Sequence, residues 1–267
     1  MIPASLPPLA LLRRWVVDYF NAHNPAAARE FIHPDYSLEI GDVVFAGRDQ
    51  QWLPAVDEQM RRFPGLGMTV HEVVTTSDQV ALWFSQHGAQ DGANGPVAVW
   101  SGVAIYQCRN GQMLGCVAQE DYLTRSRQLK SGMPDPVEPP APAPWDAAPQ
   151  ARNPEAERIV QQWLTSSWPS AEPRLRCDDE HLTGDRLMFQ VDSVEVLKLF
   201  SSGQTVAFHA RQHGRYQGGL AGVPVNLARQ HLACNGIVHV QNEAIIRGRI
   251  IRDRIGLRAR LRDGASS

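Results

Sequence analysis

One stretch of this sequence is written twice. Residues 78–88, DQVALWFSQHG, align without a gap to residues 204–214, QTVAFHARQHG, at a constant offset of 126. Upstream, VHEVVTTS (70–77) matches VLKLFSSG (196–203), and downstream RNGQMLGCV (109–117) is answered by IRGRIIRDR (246–254) after an insertion. A shared strand pattern, a shared Gln-His-Gly and a shared following hairpin predict a duplicated domain. Between the copies, eight prolines from Pro134 to Pro154 crowd together and periodicity disappears, as in an extended, semi-rigid linker. The expected organisation is therefore a first domain over 1–130, a linker over 131–153 and a second domain over 154–267.

Each copy opens with an apolar helical stripe. Leu9, Leu12, Val16, Tyr19 and Phe20 form the first, and Ala156, Ile159, Val160, Trp163 and Leu164 the second. Asn153-Pro154 supplies a cap and a first helical residue, and Asn24-Pro25 does the same for a short helix ending near Ile32. A third helix carries Trp52, Leu53, Val56, Met60 and Phe63, after which 68–76, 79–87, 97–108 and 112–122 read as strands. Helices followed by a long-stranded antiparallel meander predict an α+β fold: two tandem cone-shaped domains, each with helices on a curved antiparallel sheet. Pro169 to Asp185 shows no helix pair like that of the first copy, so the second domain reads as degenerate.

Composition narrows the function. A hydrophobic fraction of 43% with 20% charged residues is that of an ordinary globular chain, and a net charge of −2 leaves no footprint for nucleic acid or anionic lipid. No apolar run approaches a membrane span, and Met1–Leu12 lacks the features of a secretory signal, so a cytoplasmic location is expected. Cys108, Cys116, Cys177 and Cys234 have no metal-ligand spacing and read as reduced and structural. There is no phosphate loop, nucleophile elbow, HExxH or EF-hand pattern, so neither metal nor cofactor is expected.

Hairpin registry sharpens the reading. With Asn110-Gly111 as the turn, Ile105/Cys116, Val103/Ala118 and Ser101/Glu120 share one face, continuing to Tyr122, apolar near the turn and polar toward Glu120. The opposite face, with Trp83, Trp100, Ala104, Tyr106 and Val117, is apolar and must pack on a partner, either the other half as an intrachain pseudo-dimer or a second chain as a homodimer. Taking Arg247-Gly248 as the second turn sets Asp253 opposite Asn242 in an otherwise apolar row. Burial there would raise its pKa, as in a general acid or base, although an Asp–Asn pair can also simply satisfy itself in a core. His87 and His213 take twin places at a strand end, which suits turn capping or ligand contact. Tyr19, Trp15 and Tyr36 are candidates to line a cavity or to be plain core. Glu39, Asp42, Glu120 and Asp121 are acids near strand ends, and the seven arginines from Arg247 to Arg262 read as a surface strand and tail.

With "GRDQQWL" (47–53) entering the third helix, "FPGLGMTV" (63–70) leaving it and "RNGQM" (109–113) before the last strand, the chain resembles the nuclear transport factor 2-like superfamily, and within it the SnoaL-like polyketide cyclase branch. Gly214, Gly218, Gly222 and Pro224 match that branch's loop pattern, and the resemblance covers 8–129 and, in weaker form, 155–262. It implies a cavity for a mainly apolar small molecule, polyketide or steroid-like, and cofactor-independent cyclisation, isomerisation or dehydration, or else a non-catalytic binding or assembly module. The family's acid/base positions are incompletely filled here. Ile40 stands at an isomerase base position, Gly102 or Val103 at that of the protonated acid, and Cys116 and Ala118, or Asp253 and Ile255, at the cyclase pair. The expected proton-transfer residues are accordingly Asp253, Glu120 and Asp121, with Asn242, Tyr19, Trp15, Tyr36, His87 and Tyr122 as ligand contacts.

Overall fold

The computed structural model describes residues 6–166, 168, 174–179 and 186–263. Helix α1 (Pro8–Arg13) runs into a π-helical stretch, Arg14–Phe20, and buries Leu11, Leu12, Trp15, Val16, Tyr19 and Phe20. Then come α2 (Pro25–Phe31), the strands β1 (Ile32–Ile40) and β2 (Val43–Ala46), and α3 (Leu53–Arg62), which continues a π-helical turn at Arg48–Trp52. The long strands follow as β3 (Gly67–Thr75), β4 (Gln79–Ala89), β5 (Val97–Arg109) and β6 (Gln112–Glu120), closed by α4 (Tyr122–Ser131). The second half comprises α5 (Pro154–Ser166), β7 (Leu175–Cys177), β8 (Met188–Ser202), β9 (Thr205–Gly218), β10 (Asn226–Gln241), β11 (Ala244–Arg252) and α6 (Arg254–Asp263). Asn153 caps α5, its side-chain oxygen accepting from the amides of Glu155 and Ala156.

The fold is mixed α+β, with helices packed on two sheets. The first has the order β2-β1-β6-β5-β4-β3 and the second β7-β11-β10-β9-β8. In each, a long antiparallel meander ends beside a strand that runs parallel to its last member, β1 along β6 and β7 along β11. Val80 pairs with Tyr106 in the first sheet and Val206 with Val238 in the second, so the offset of 126 holds through β4 and β9.

The downstream part of the sequence alignment is corrected. The second hairpin turns at Asn242-Glu243, both at positive φ, and Gln241 pairs with Ala244. Arg247-Gly248 lies inside β11. Both turn residues adopt the left-handed conformation that Asn110-Gly111 adopts in the first hairpin, although Glu243 lacks the glycine that advertises it. Asn242 is consequently at a hairpin tip rather than across from Asp253, and Asp253 lies beyond the strand.

The first hairpin also differs from simple registry. Cys108 pairs with Met113 as the turn requires, but a bulge between Gln107 and Cys108 then shifts the partner by one, giving Tyr106↔Cys116, Ala104↔Ala118 and Gly102↔Glu120. One inserted residue exchanges faces. Trp100, Ala104 and Tyr106 therefore lie on the inner face with Cys116, Ala118 and Glu120, and Val103 and Ile105 join Ala81, Trp83 and Val117 on the outer one.

That outer face is covered by the second sheet. Val74, Ala81, Val103, Ile105 and Val117 pack on Phe200, Ala207, Ile237 and Ile251 in one buried cluster, an intrachain pseudo-dimer of sheets. At its centre Asn235 is fully buried: its Nδ2 donates to the carbonyls of Val103 and Val117, at 2.9 and 3.0 Å, while Oδ1 sits 2.7 Å from His209 Nδ1. Histidine–carboxylate contacts flank the seam, with His239–Glu72 at 2.6 Å, His231–Asp42 at 2.8 Å and His209–Glu39 at 3.6 Å. The arginine series is not a surface tail throughout, because Arg249, Arg252 and Arg254 are buried against Asp178, Asp179 and Asp121.

The proline-rich segment runs largely exposed and is pinned at a few points, among them Ala141 N to Val70 O at 2.8 Å, Pro139 O to His71 Nδ1 at 2.8 Å and Gln150 N to Ser202 Oγ at 2.9 Å. Limited proteolysis is expected to cut first between Ser131 and Gln150, and the two fragments to co-elute in gel filtration because the seam holds them. Replacing Asn235→Ala leaves two carbonyls and a histidine without their seam partner and should lower unfolding free energy by about 1–3 kcal/mol in urea titration.

Candidate functional site

The helices and the inner face of the first sheet enclose a cavity of about 130 Å³. Its floor is Ala104, Tyr106, Cys116 and Ala118, its helical wall Trp15, Trp52 and Val56, and its rim Leu38, Ile40 and Phe45. Small side chains on β5 and β6 create the space. Gly102 does further work: a Cβ there would overlap the ring of Phe84, another lining residue, so the glycine lets that ring lie flat on the sheet.

The polar end of this cavity is Glu120, the last residue of β6. Trp100 Nε1 donates to its Oε2 at 2.7 Å, and Gln86 Nε2 to its Oε1 at 3.3 Å. Gln86 is in turn held by Gln59 Nε2 at 2.8 Å. Burial pushes the Glu120 carboxyl above the ordinary glutamate range, opposed by the Trp100 and Tyr122 hydrogen bonds and the nearby Arg125 charge. Arg125 makes no ion pair with it; its guanidinium lies over the rings of Tyr122, Trp100 and Phe63, at 4.2, 5.1 and 5.8 Å. A carboxyl raised by an apolar site can carry a proton toward or away from a neighbouring carbon or oxygen near neutral pH.

Of the expected ligand contacts, Trp15, Tyr36 and Tyr122 line this cavity with Glu120. The Trp15 indole N–H is buried with no acceptor among the described residues. Tyr19 is fully buried one helical turn on, edge-on to Trp15 at 6.0 Å, and does not line the cavity. His87 faces Thr69 Oγ1 at 3.0 Å on the neighbouring strand, away from the site. Cys116 on the floor is fully enclosed, its thiol pushed up to about 12 by burial, and does not act as a nucleophile at neutral pH.

The two aspartates are elsewhere. Asp121 follows Glu120 but points to the opposite side of the strand. It caps α4 through the amide of Thr124 at 3.1 Å, accepts the Asp179 amide at 2.8 Å and pairs with Arg254 across the seam. The Arg254 charge and these amides outweigh burial and hold its carboxyl below the usual aspartate range. Asp253 is its counterpart in the second half: it precedes α6, accepts the Gly256 amide at 2.9 Å, and its own amide donates to Ala233 O as that of Asp121 donates to Ser101 O. Burial raises its carboxyl, but Gly41 and Gly256 close on it and it does not line the cavity that holds Glu120. A helix cap, rather than a cross-strand Asn242, explains a carboxylate at that place.

Gln59, Gln86, Trp100 and Phe84 are the site residues that sequence reasoning did not single out. The even-numbered residues of β4 and β5 facing a carboxylate at the end of β6 were the available signal, and the bulge after Tyr106 hid it. Among the described residues no group of three or more His, Cys, Asp or Glu side chains could hold a metal ion, and no helix is long and apolar enough to cross a membrane.

Residues 12–115 match the family model of the SnoaL-like domain. That match lies wholly within the half of the chain that builds the first sheet. Among solved structures it is similar to a SnoaL-like polyketide cyclase from Jannaschia sp. CCS1, with 18% identity over 49% of this chain and 96% of that one at a TM-score of 0.44. It is also similar to IdmH, a polyketide cyclase of Streptomyces antibioticus, with 20% identity over 46% and 98% at 0.42. No curated protein sequence matches. The matched span holds most of the cavity lining, with Cys116, Ala118, Glu120 and Tyr122 standing just past it.

A carboxylate with a raised pKa has a definite stability signature. The unfolded chain ionises Glu120 first as pH rises through the ordinary glutamate range, so the folded state loses stability from there up to the raised native value. Glu120→Gln should therefore gain stability relative to the parent at pH 7 compared with pH 4, read by thermal unfolding at both pH values. Equal differences at the two pH values would contradict an elevated Glu120.

Proposed function

We propose that the SnoaL-like domain binds a mainly apolar, ring-containing small molecule in this cavity, and that Glu120 moves a proton on it without a cofactor. The observation that carries the reading is one carboxyl, raised by burial and fixed by Trp100 and Gln86, at the polar end of an otherwise apolar and aromatic cavity. Proton abstraction beside a carbonyl, followed by ring closure, isomerisation or loss of water, needs such a group near the reacting atom and apolar walls to hold the skeleton. The Trp15 N–H, buried and without an acceptor, supplies a donor for a carbonyl oxygen of the ligand. Size bounds the ligand: an engineered apolar cavity of about 150 Å³ admits benzene, so about 130 Å³ accepts one ring as it stands. A polyketide or steroid-like skeleton enters only if the Leu38, Ile40 and Phe45 rim opens.

A second reading, a non-catalytic ligand carrier or assembly module, is favoured by Cys116 and Ala118, which leave Glu120 as the one carboxylate among the cavity residues. We also propose that the chain is a tandem duplication whose second half, over 154–267, serves chiefly to cover the first sheet.

Native mass spectrometry of the purified chain should show a co-purifying apolar compound, and nitrobenzene, a single-ring probe, should quench the fluorescence of cavity tryptophans. Ala104→Phe fills the floor and should abolish both signals; unchanged binding would reject the cavity. Glu120→Gln should retain nitrobenzene binding within about threefold while slowing conversion of the co-purified compound by about 10²-fold or more, the usual contribution of a general acid or base. Conversion at the parental rate, or no conversion by the parent, would leave the carrier reading in its place.

A further inference from the structure

A second cavity, of about 450 Å³, lies on the other side of α4, between that helix, α6 and the loop after β9. Among the described residues its walls carry five basic side chains, Arg127, Lys130, Arg254, Arg258 and Arg262, and no carboxylate. The placement follows from helical spacing. Arg254, Arg258 and Arg262 recur every four residues along one face of α6, and Arg127 and Lys130 stand three apart on the facing α4.

Arg127 pairs with Asp135, and Arg254 with Asp121 and Asp178. Lys130 and Arg258 have no ion pair or hydrogen bond among the described residues. Arg262 stands one turn from Arg258 and adds to the same field; with burial, its charge lowers the Arg258 guanidinium from its ordinary value. Lys130 and Arg258 thus face one concave surface without a carboxylate of their own among the described residues, a repulsion that an anion between them relieves.

The third wall is built rather than loose. Gly218, Gly219 and Gly222 all adopt positive φ, and the buried Tyr216 hydroxyl accepts the Leu220 amide at 2.8 Å, fixing the loop that brings Gly219 and Ala221 to the cavity. Ser126 adds a hydroxyl donor from α4.

We propose that this cavity binds a phosphorylated small molecule, an organic phosphate ester or diphosphate, with Lys130 and Arg258 on the phosphate and Arg262 reinforcing the field. Guanidinium and ammonium donors converging with a hydroxyl match the several oxygens and double charge of a phosphate. The volume exceeds what a bare ion fills, which calls for the rest of an ester. The site is independent of Glu120 and does not rest on the proposed reaction, although α4 touches both cavities.

Titration calorimetry of the full chain at 0.15 M salt, with inorganic pyrophosphate and with glucose 6-phosphate as probes and glucose as the uncharged control, tests this. Both phosphates should bind and glucose should not; these polar probes have no access to the apolar cavity, so the result is separate from the fate of the Glu120 reading. Combined Lys130→Gln and Arg258→Gln should weaken both by at least tenfold, Arg258→Lys should restore part of the loss, and Arg158→Gln on exposed α5 should change nothing. If the combined variant does not fold, Lys130→Gln alone, at an exposed position, should still weaken binding at least threefold. Absence of binding to the parent, equal affinity in the variants or an equal loss in Arg158→Gln overturns the site, and binding of pyrophosphate without glucose 6-phosphate overturns the ester.

Discussion

The seam between the two sheets is the constraint on which the remainder of the molecule rests. Ala81, Val103, Ile105 and Val117 form an apolar face too extensive to leave in water, and it is covered by Phe200, Ala207, Ile237 and Ile251 from the same chain. Apolar area supplies attraction without direction; the direction comes from Asn235, whose amide is spent on two carbonyls of the opposite sheet. Its burial is costly unless every polar atom is met, so a slipped or rotated packing of the sheets is penalised. The same logic governs Asp121, Asp178 and Asp179 against Arg249, Arg252 and Arg254. Such a lattice adds little net stability over apolar packing, but removing one member strands the others.

The seam reaches the cavity through one peptide bond. Glu120 and Asp121 are neighbours at the end of β6, and the strand's alternation sends one inward and the other outward. Both are carboxylates taken from water, yet their proton affinities move in opposite directions. Asp121 has a guanidinium and two amides, which favour the charged form; Glu120 has an indole N–H, an amide side chain and a more distant arginine, which do not fully offset desolvation. Because Asp121 also starts α4, the position of Tyr122 at the cavity mouth depends on a contact made with the other half of the chain.

The sequence carried much of this plan, and its failures are local. The matched segments at 70–88 and 196–214 announced two sheets of one order, since strand alternation and Gln-His-Gly survive in both. The proline run marked the crossing between them, and an excess of apolar residues on a sheet called for a covering partner. What misled was backbone geometry that side chains do not advertise. A single bulged residue near Gln107 exchanged the inner and outer faces of β5, so Trp100 and Tyr106 were assigned to the seam instead of the cavity. A left-handed turn at Asn242-Glu243, without a glycine, displaced the second hairpin by five residues and turned a helix-capping aspartate into an apparent cavity acid. Glu120 was visible as an acid at a strand end, but the residues that hold it come from β4, β5 and α3, and only the closed fold brings them together.

Corrected registry also sets the two halves apart at one position. Gly102 pairs with Glu120 in the first sheet as Cys234 pairs with Arg252 in the second, so the position that holds a carboxyl over the cavity holds a guanidinium in the other half. Arg252 is bound to Asp178 through its amide, Nε and an Nη, and so belongs to the buried lattice. Beside it, Ile250 occupies the place of Ala118 and packs with Val206, Phe208, Val238 and Trp163, filling with aliphatic volume the space that a small residue opens in the first half. Where the first sheet keeps a raised carboxyl and a cavity, the second spends the same position on an ion pair that anchors β11. One strand order thus carries a cavity with a buried carboxyl in one half and an ion-paired fastening face in the other, and the contrast is set by Glu120 against Arg252 and by Ala118 against Ile250.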